Sequence, residues 1–288
     1  MRRLIINADD FGLTRGVNRS IVESHRQGVL TSATLMAGAP ACAEAVQLAQ
    51  QNSKLGVGCH VVLVDGAPVG DPARLRSLTG PAAAEFTSSI GTLARRAMFG
   101  RIDQDEVESE ARLQFQKLLN DGVQLTHFDS HKHAHLFPAL LEPLLRAARA
   151  CGIRAVRNPF EPPRPLLTKV VRKRPNLWKR YAQARILREW QPAFRRLVAK
   201  AGLKTTSGTL GIVVTGVLDQ QILEQLIAEM PEGTWELVCH PGYNDDDLRS
   251  VRTRLRASRE VEREALTSVE TRRRLEAREI ELISYREL

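Results

Sequence analysis

Short apolar runs alternate with amphipathic stretches along the whole chain. Several runs are rich in Val, Ile and Leu on both faces, which is typical of strands buried between a core and covering helices. The runs predict eight strands, at Leu4–Ala8, Thr31–Ala37, Leu55–Val62, Gln124–Asp129, Ile153–Arg157, Gly208–Thr215, Glu236–Cys239 and Glu279–Ser284. The stretches between them predict helices at Gly16–Gln27, Ala41–Gln51, Asp103–Asp121, Phe137–Ala150, Asn176–Ala201, Asp219–Glu229 and Ser258–Ala277.

Strands that alternate with helices predict a mainly parallel sheet in an α/β fold. About eight such strands favour a (β/α) barrel of irregular form, and an open doubly wound sheet is the alternative. The chain has 288 residues, 43% of them hydrophobic, which is enough for one sizeable core. We therefore expect residues 1–288 to form a single domain.

Two stretches interrupt the alternation. Asp65–Gly91 is rich in Gly, Pro and Ser and predicts a long loop. Asn158–Pro165 contains four prolines, and a basic segment follows it. Together these features predict a helical insertion or lid near residues 159–205, placed after the end of a strand.

The net charge of +9 is concentrated in that insertion. Arg164–Lys204 holds 13 Lys and Arg and one acid, so it carries +12 and the remainder carries −3. The predicted helix Asn176–Ala201 mixes these basic residues with Trp178 and Trp190, which is typical of a helix lying on an anionic membrane. An ordinary barrel-covering helix would show the same spacing. Pro192 should kink it or split it in two.

Polar residues stand at or near the carboxyl ends of three predicted strands. Asp9 and Asp10 directly follow the first, and His60 and His240 stand near the ends of two others. Ligands of parallel α/β folds bind at the carboxyl ends of the strands, so these side chains are candidates for one site. Two adjacent buried carboxylates need a cation or a proton, although a solvated Asp-Asp turn is the simpler interpretation of that pair alone.

The strongest chemical signal is the segment from Thr126 to His135, which contains four of the seven histidines and Asp129. If the strand continues, its period of two puts His127, Asp129 and His131 on one face. Imidazole and carboxylate ligands suit a divalent ion such as Zn²⁺, Fe²⁺ or Mn²⁺. One ion cannot bind them all, so most of this segment should support the site or contact substrate.

One carboxylate and two imidazoles would leave open positions on a metal ion for water and a substrate oxygen. Such an ion lowers the pKa of the water and polarises a carbonyl group. A carboxylate beside it can accept a proton, and a histidine on the opposite side can protonate a leaving amine. This set of residue types indicates amide hydrolysis.

The sequence motifs resemble those of the YdjC-like carbohydrate deacetylases, in order and over nearly the whole chain. They are Ala8-Asp9-Asp10-Phe11-Gly12, Gly58-Cys59-His60, Thr126-His127-Phe128-Asp129-Ser130-His131-Lys132-His133-Ala134-His135 and Cys239-His240-Pro241-Gly242. The resemblance implies a distorted (β/α) TIM-like barrel that binds one divalent ion.

Residue by residue, the resemblance implies that Asp10, His60 and His131 are metal ligands. It implies Asp9 as general base and His240 as general acid. Zn²⁺ fits this ligand set by softness, and Mg²⁺ is the alternative. Supporting or substrate-contacting roles are expected for Asp129, His127, His133 and Arg157.

Within the family the chain most resembles the hopanoid biosynthesis-associated deacetylases (the HpnK group). That resemblance implies an N-acetylglucosaminyl group on a bacteriohopane polyol as substrate. We expect a cytoplasmic protein, without signal peptide or membrane-spanning helix, with peripheral contact to the cytoplasmic face of the inner membrane as an alternative to a wholly cytoplasmic location. Alternatives are a deacetylase of soluble chitooligosaccharides, a nucleic-acid-binding protein that uses residues 164–204, and a non-catalytic metal-binding barrel.

Overall fold

The computed structural model describes residues 1–80, 83–162, 171, 174 and 176–288. Eight strands of the described chain pair in parallel within one sheet. They are β1 (Arg2–Phe11), β2 (Ser32–Leu35), β3 (Gly56–Val61), β4 (His127–Ser130), β5 (Ala155–Val156), β6 (Gly208–Leu210), β7 (Gly233–Cys239) and β8 (Ile280–Leu282). Each of the eight predicted strands is therefore present.

The strand order is β5-β4-β3-β2-β1-β7-β6, and β8 pairs with the first residues of β1. In a flat sheet β5 and β7 would be about 24 Å apart, because neighbouring strands are spaced by about 4.8 Å. Arg157, which directly follows β5, nevertheless hydrogen-bonds Glu236 of β7 at 2.8 Å. The sheet must therefore curl into a half-barrel, which confirms the distorted TIM-like prediction and excludes the flat doubly wound alternative.

Side chains along β1 alternate between two environments. Leu4, Ile6 and Ala8 belong to the main hydrophobic core. Ile5 points the other way, into a small apolar cluster, and Asn7 stands two residues further along the strand. The concave side of the sheet is thus apolar at its amino end and polar toward its carboxyl end, where a site can form.

Eleven α-helices lie in the described residues. They are α1 (Arg15–Arg26), α2 (Cys42–Gln51), α3 (Ile90–Met98), α4 (Gln104–Asn120), α5 (Pro138–Ala150), α6 (Asn176–Leu187), α7 (Gln191–Ala201), α8 (Gln220–Glu229), α9 (Asp246–Ser250), α10 (Ala257–Thr267) and α11 (Val269–Ala277). Helices α3 and α9 were not predicted from the sequence.

The prediction of one helix over Ser258–Ala277 was wrong. Ser268 has an extended backbone (φ −66°, ψ 134°) that ends α10, and its hydroxyl accepts a hydrogen bond from the Glu270 amide at 3.2 Å. Strand β6 is also shorter than predicted, because Gly211 has φ +98° and turns the chain.

The predicted basic helix is split, as Pro192 suggested. A 3₁₀ turn at Arg188–Trp190 separates α6 from α7, and Pro192 stands in the first turn of α7. The preceding part of the predicted insertion, residues 163–170, 172, 173 and 175, lies outside the described residues. Among the helices that are described, none is both long and apolar enough to cross a membrane.

Candidate active site

Asp9 and Asp10 both turn toward the concave side of the sheet, although neighbouring strand residues normally face opposite sides. The pairing of β1 with β2 shifts register between Ala8 and Phe11. Asp10 has φ +66°, a left-handed conformation that is uncommon outside Gly, Asn and Asp. This local irregularity explains how two consecutive carboxylates reach one site.

Asp10, His60 and His131 form a compact group. The Asp10 Oδ1 atom is 3.6 Å from both His60 Nε2 and His131 Nδ1, and those two nitrogens are 3.3 Å apart. One oxygen and two imidazole nitrogens at such separations can hold a divalent ion, and this group matches the predicted ligand set.

Asp129 orients His60. Its Oδ1 atom lies 2.7 Å from His60 Nδ1, so the opposite ring nitrogen is directed toward Asp10 and His131. Burial lowers the pKa of His60, but the carboxylates of Asp129, Asp9 and Asp10, Asp129 foremost, together outweigh it and raise the pKa to about 9. Thr34 adds a hydrogen bond to Asp129 at 3.1 Å. A carboxylate behind a histidine in this way is typical of metal-binding histidines.

Arg157 holds Asp9 through both carboxylate oxygens, at 2.9 and 2.6 Å. Its guanidinium is fully buried and also contacts Asp129 and Glu236. Burial opposes the ionisation of Asp9, yet Arg157 holds its pKa well below the ordinary value. The pKa of Arg157 is itself raised, because the three carboxylates outweigh its burial. Asp9 is therefore ionised and fixed in position.

A second group that could hold an ion consists of Asp9, His60 and Asp129. Arg157 already engages both Asp9 oxygens and Asp129 Oδ2, and Asp129 Oδ2 also accepts from Thr34. Asp10 Oδ1, by contrast, lies 3.6 Å from the ring nitrogens of His60 and His131, and the guanidinium of Arg259 contacts the other oxygen. The group with Asp10 is therefore the better candidate.

The buried charges of the site leave room for a divalent cation. When all are ionised and His60 is neutral, as a metal-bound imidazole is, four carboxylates face two guanidiniums, an excess of two negative charges. Without an ion, a proton on His60 offsets one of these charges. The acids are Asp9, Asp10, Asp129 and Glu236, and the bases are Arg157 and Arg259. Uncompensated buried charge is costly, so an ion of charge +2 fits the donors present.

His240 lies beside Asp9, with Nε2 3.8 Å from Asp9 Oδ2. From the sequence, Asp9 and His240 were predicted on opposite sides of the ion. The two side chains adjoin because Ala8 of β1 pairs with Cys239 of β7, and Asp9 and His240 are the residues that follow this pair. The Nδ1 atom of His240 is buried without a hydrogen-bond partner.

Burial lowers the pKa of His240 to about 4, so its ring is neutral near pH 7. Its backbone amide donates to Glu262 at 2.6 Å. Burial raises the pKa of the Glu262 carboxyl to about 7.

The other histidines of the Thr126–His135 segment lie outside the group of Asp10, His60 and His131. His127 stacks on Tyr285, with ring centroids 3.7 Å apart, and its Nε2 atom is 3.2 Å from the Asn7 amide oxygen. His135 is buried against the Ser130 hydroxyl, 2.6 Å from its Nδ1 atom. His133 has φ +54°, its Nδ1 atom is buried without a partner, and burial lowers its pKa to about 3. A turn at the end of β4 thus allows His131, alone of the four histidines in this segment, to join Asp10 and His60.

Sequence reasoning missed three charged residues of the site: Arg259, Glu236 and Glu262. Arg259 donates to Asp10 Oδ2 at 2.6 Å, and Glu236 binds both Arg157 and the Tyr285 hydroxyl. Glu236 follows a tryptophan in an otherwise apolar strand, which is a signal that could have found it. Arg259 and Glu262 carried no such signal, because their helix contains many Arg and Glu residues.

Comparison with known proteins gives matches over the whole chain. Residues 3–277 match the YdjC-like protein family. A carbohydrate deacetylase of Thermoanaerobacter pseudethanolicus is 28% identical over 288 residues, covering 99% of this chain and 98% of that protein. A carbohydrate deacetylase of Brevibacillus brevis is 31% identical over 289 residues, covering 99% of each.

Solved structures agree with this result. A protein of Enterococcus faecalis, named for cellobiose-phosphate cleavage, has a TM-score of 0.76 at 26% identity and covers 99% of this chain and 98% of its own. A lactam utilization protein of Thermus thermophilus shares the fold alone, with a TM-score of 0.50 at 15% identity; the match covers 98% of this chain and 99% of its own.

The curled parallel sheet and its polar carboxyl end define a TIM-like α/β protein with a candidate hydrolytic site. More narrowly, the chain belongs to the YdjC-like family, as the family match shows.

Proposed function

We propose that this protein is a metal-dependent carbohydrate deacetylase that removes the N-acetyl group of an amino sugar. The observation that carries the proposal is the group of Asp10, His60 and His131, next to the paired side chains of Asp9 and His240. The two carbohydrate deacetylases that match along nearly their full length support it.

In the proposed reaction a water oxygen attacks the amide carbon, the C–N bond breaks, and acetate and a free amine leave. Asp10, His60 and His131 would hold the divalent ion, Zn²⁺ or Mg²⁺. The chemistry that such an ion supplies when bound is polarisation of the amide carbonyl and acidification of a water molecule.

Asp9 is the proposed acceptor of the proton from the attacking water. Arg157 fixes its orientation at the cost of basicity, because the guanidinium favours the carboxylate form. His240 is neutral near pH 7 and must gain a proton before it can give one to the leaving nitrogen. Asp9 lies 3.8 Å from His240 Nε2, so it is the neighbour that can pass the proton on.

Acetate release from an N-acetylglucosaminyl glycolipid, and from diacetylchitobiose as the soluble alternative, each measured with and without chelator, tests this function. We expect release by the wild type, its loss on chelation, and its recovery when Zn²⁺ or Mg²⁺ is returned. Asp9→Asn should keep the ion and lose most of the activity. Release that is unaffected by chelation would overturn the metal-dependent mechanism, and no release from any N-acetylated sugar would overturn the deacetylase assignment.

For the acceptor we propose a lipid-linked sugar, an N-acetylglucosaminyl hopanoid, rather than a soluble chitooligosaccharide. Trp178 and Ile186 of α6 are 52% and 71% exposed among basic residues. This combination suits contact with an anionic membrane surface, and the protein would then act on the cytoplasmic face of the inner membrane. Trp190 packs on Phe137, just after the turn that carries His131, which brings the segment near the site.

The apolar side chains Phe194 and Val198 of α7 do not contribute to this surface, because they belong to the hydrophobic core. The membrane test therefore targets α6, by flotation with anionic liposomes of Trp178→Ser/Ile186→Ser. We expect lower binding than for the wild type. Val269→Ser, an equally exposed apolar residue on α11, should bind as the wild type does. Equal binding by all three proteins would reject membrane contact through α6, and faster acetate release from diacetylchitobiose than from the glycolipid would favour a soluble substrate.

A further inference from the structure

Arg259 is a buried cation that reaches the site from outside the sheet. It stands in the first turn of α10, and its side chain is 1% exposed. Its Nη2 atom donates to Asp10 Oδ2 at 2.6 Å, and its Nε atom donates to the Leu255 carbonyl at 3.1 Å. The guanidinium is therefore anchored at one end by backbone and directed at one carboxylate oxygen.

The two oxygens of Asp10 have different surroundings. Oδ2 accepts a charge-assisted hydrogen bond from Arg259, the strong kind of carboxylate interaction. Oδ1 faces the nitrogens of His60 and His131 at 3.6 Å. One oxygen is thus occupied by the protein itself, and the other belongs to the candidate ligand group.

Gly242, at the end of the Cys239-His240-Pro241-Gly242 motif, makes space for Arg259. A Cβ atom added at Gly242 would lie 2.8 Å from Arg259 Cδ and 3.2 Å from its Cβ. The Gly242 amide also donates to the Arg259 carbonyl at 3.2 Å. The Cys239-His240-Pro241-Gly242 motif therefore contains His240 and also the glycine that leaves space for the Arg259 side chain.

We propose that Arg259 is a positioning residue that restricts Asp10 to a single coordinating oxygen, Oδ1. A carboxylate can bind a metal ion through one oxygen or both, and the second mode fills a position that substrate or water needs. The guanidinium prevents this by occupying Oδ2. The inference rests on the proposed metal site of the preceding subsection.

The neighbouring pair gives the contrast. Arg157 takes both oxygens of Asp9, whereas Arg259 takes one oxygen of Asp10. Two buried arginines therefore assign different roles to two consecutive carboxylates. Asp9 is kept off the ion, and Asp10 binds it through one atom.

The test uses Co²⁺ as a spectroscopic probe, added to the metal-free full-length protein. The visible absorption of Co²⁺ weakens as its coordination number rises, so it reports the number of ligands without any activity assay. In Arg259→Met the freed Oδ2 should join the ion, and we expect weaker visible bands per bound Co²⁺ than in the wild type. Gly242→Ala keeps the charge but displaces the side chain, and should change the spectrum in the same direction.

Arg263→Met is the matched control, because Arg263 lies on the same helix and pairs with Glu23 instead of Asp10. Its spectrum should equal that of the wild type. Unchanged bands in both Arg259→Met and Gly242→Ala, with Co²⁺ bound, would overturn the role of Arg259 and leave the metal site standing. If the wild type binds no Co²⁺, or if Asp10→Asn binds it equally well, the proposed metal site is wrong and the inference falls with it.

Discussion

Arg157 is the residue whose replacement should disturb the folded protein most. It follows β5, is fully buried, and its guanidinium contacts the carboxylates of Asp9, Asp129 and Glu236. Arg157→Met keeps most of the aliphatic stem and removes the charge. The three acids then face one another without the guanidinium, and removal of one partner from a buried ion pair typically costs about 3–5 kcal/mol.

The free energy of unfolding should therefore fall by about 3–5 kcal/mol, a large part of the 5–15 kcal/mol typical of natural domains. Guanidinium chloride unfolding of the metal-free protein at pH 7, followed by circular dichroism, measures it. Arg157→Lys keeps the charge and loses the fork of donors, so its loss should be smaller. Arg149→Met, at an exposed position of α5, should change the free energy by less than about 1 kcal/mol.

The pH dependence of the same measurement separates charge from packing. Protonated acids need no cation, so the difference between wild type and Arg157→Met should shrink as the pH is lowered toward 4. A fall in the free energy of unfolding of less than about 1 kcal/mol at pH 7 would contradict the prediction. The acids would then be neutral or hydrated once the guanidinium is removed. A loss that does not change with pH would indicate a packing effect instead.

Three further predictions concern single residues. The pKa of Glu262 is raised from 4.5 to about 7, so the folded state keeps a proton that the unfolded chain releases. The free energy of unfolding of the wild type, relative to that of Glu262→Gln, should therefore fall by about 3 kcal/mol as the pH rises from 4.5 to 7. A difference between the two proteins that is independent of pH would contradict this. His240→Asn should lower kcat for acetate release about 10²–10⁴-fold without weakening Co²⁺ binding, and a loss of Co²⁺ would instead make His240 a ligand. Gly58→Ala should destabilise the protein by about 1–3 kcal/mol in urea unfolding, because its Cβ would lie 2.6 Å from the His127 ring and 2.7 Å from the His127 carbonyl oxygen. An unchanged midpoint would show that both the ring and the neighbouring strand can shift.

Local pattern was sufficient for much of the fold. Apolar runs located all eight strands, since burial on both faces is recorded in each strand's own residues. The pattern failed where one residue changes the backbone, as at Ser268, which divides α10 from α11, and Gly211, which ends β6. Capping and left-handed turns are decided by neighbours in space as well as by sequence.

The candidates for the ligand group could also be located from the sequence, although the choice of Asp10 over Asp9 came from the family resemblance. Asp10 and His60 stand near the ends of predicted strands, and the carboxyl ends of parallel strands meet at one edge of the sheet. His131 was found through its place in a segment dense in histidine. The choice of His131 over His127 rested on the family resemblance, and the structure gives a geometric reason, because β4 ends at Ser130.

The residue types that stand at the strand ends, and so the acid–base and metal-binding groups of the candidate site, therefore followed from the amino-acid sequence alone. Tertiary structure alone decided how the charges are compensated. Arg259 is 249 residues from Asp10 and lies on a helix that reads as a solvated surface, yet it is buried against that carboxylate. Likewise, Arg157 meets Glu236 because the sheet curls, and Asp9 meets His240 because β1 and β7 pair in register. Contacts between residues so distant in sequence depend on register and curvature, which no local pattern records.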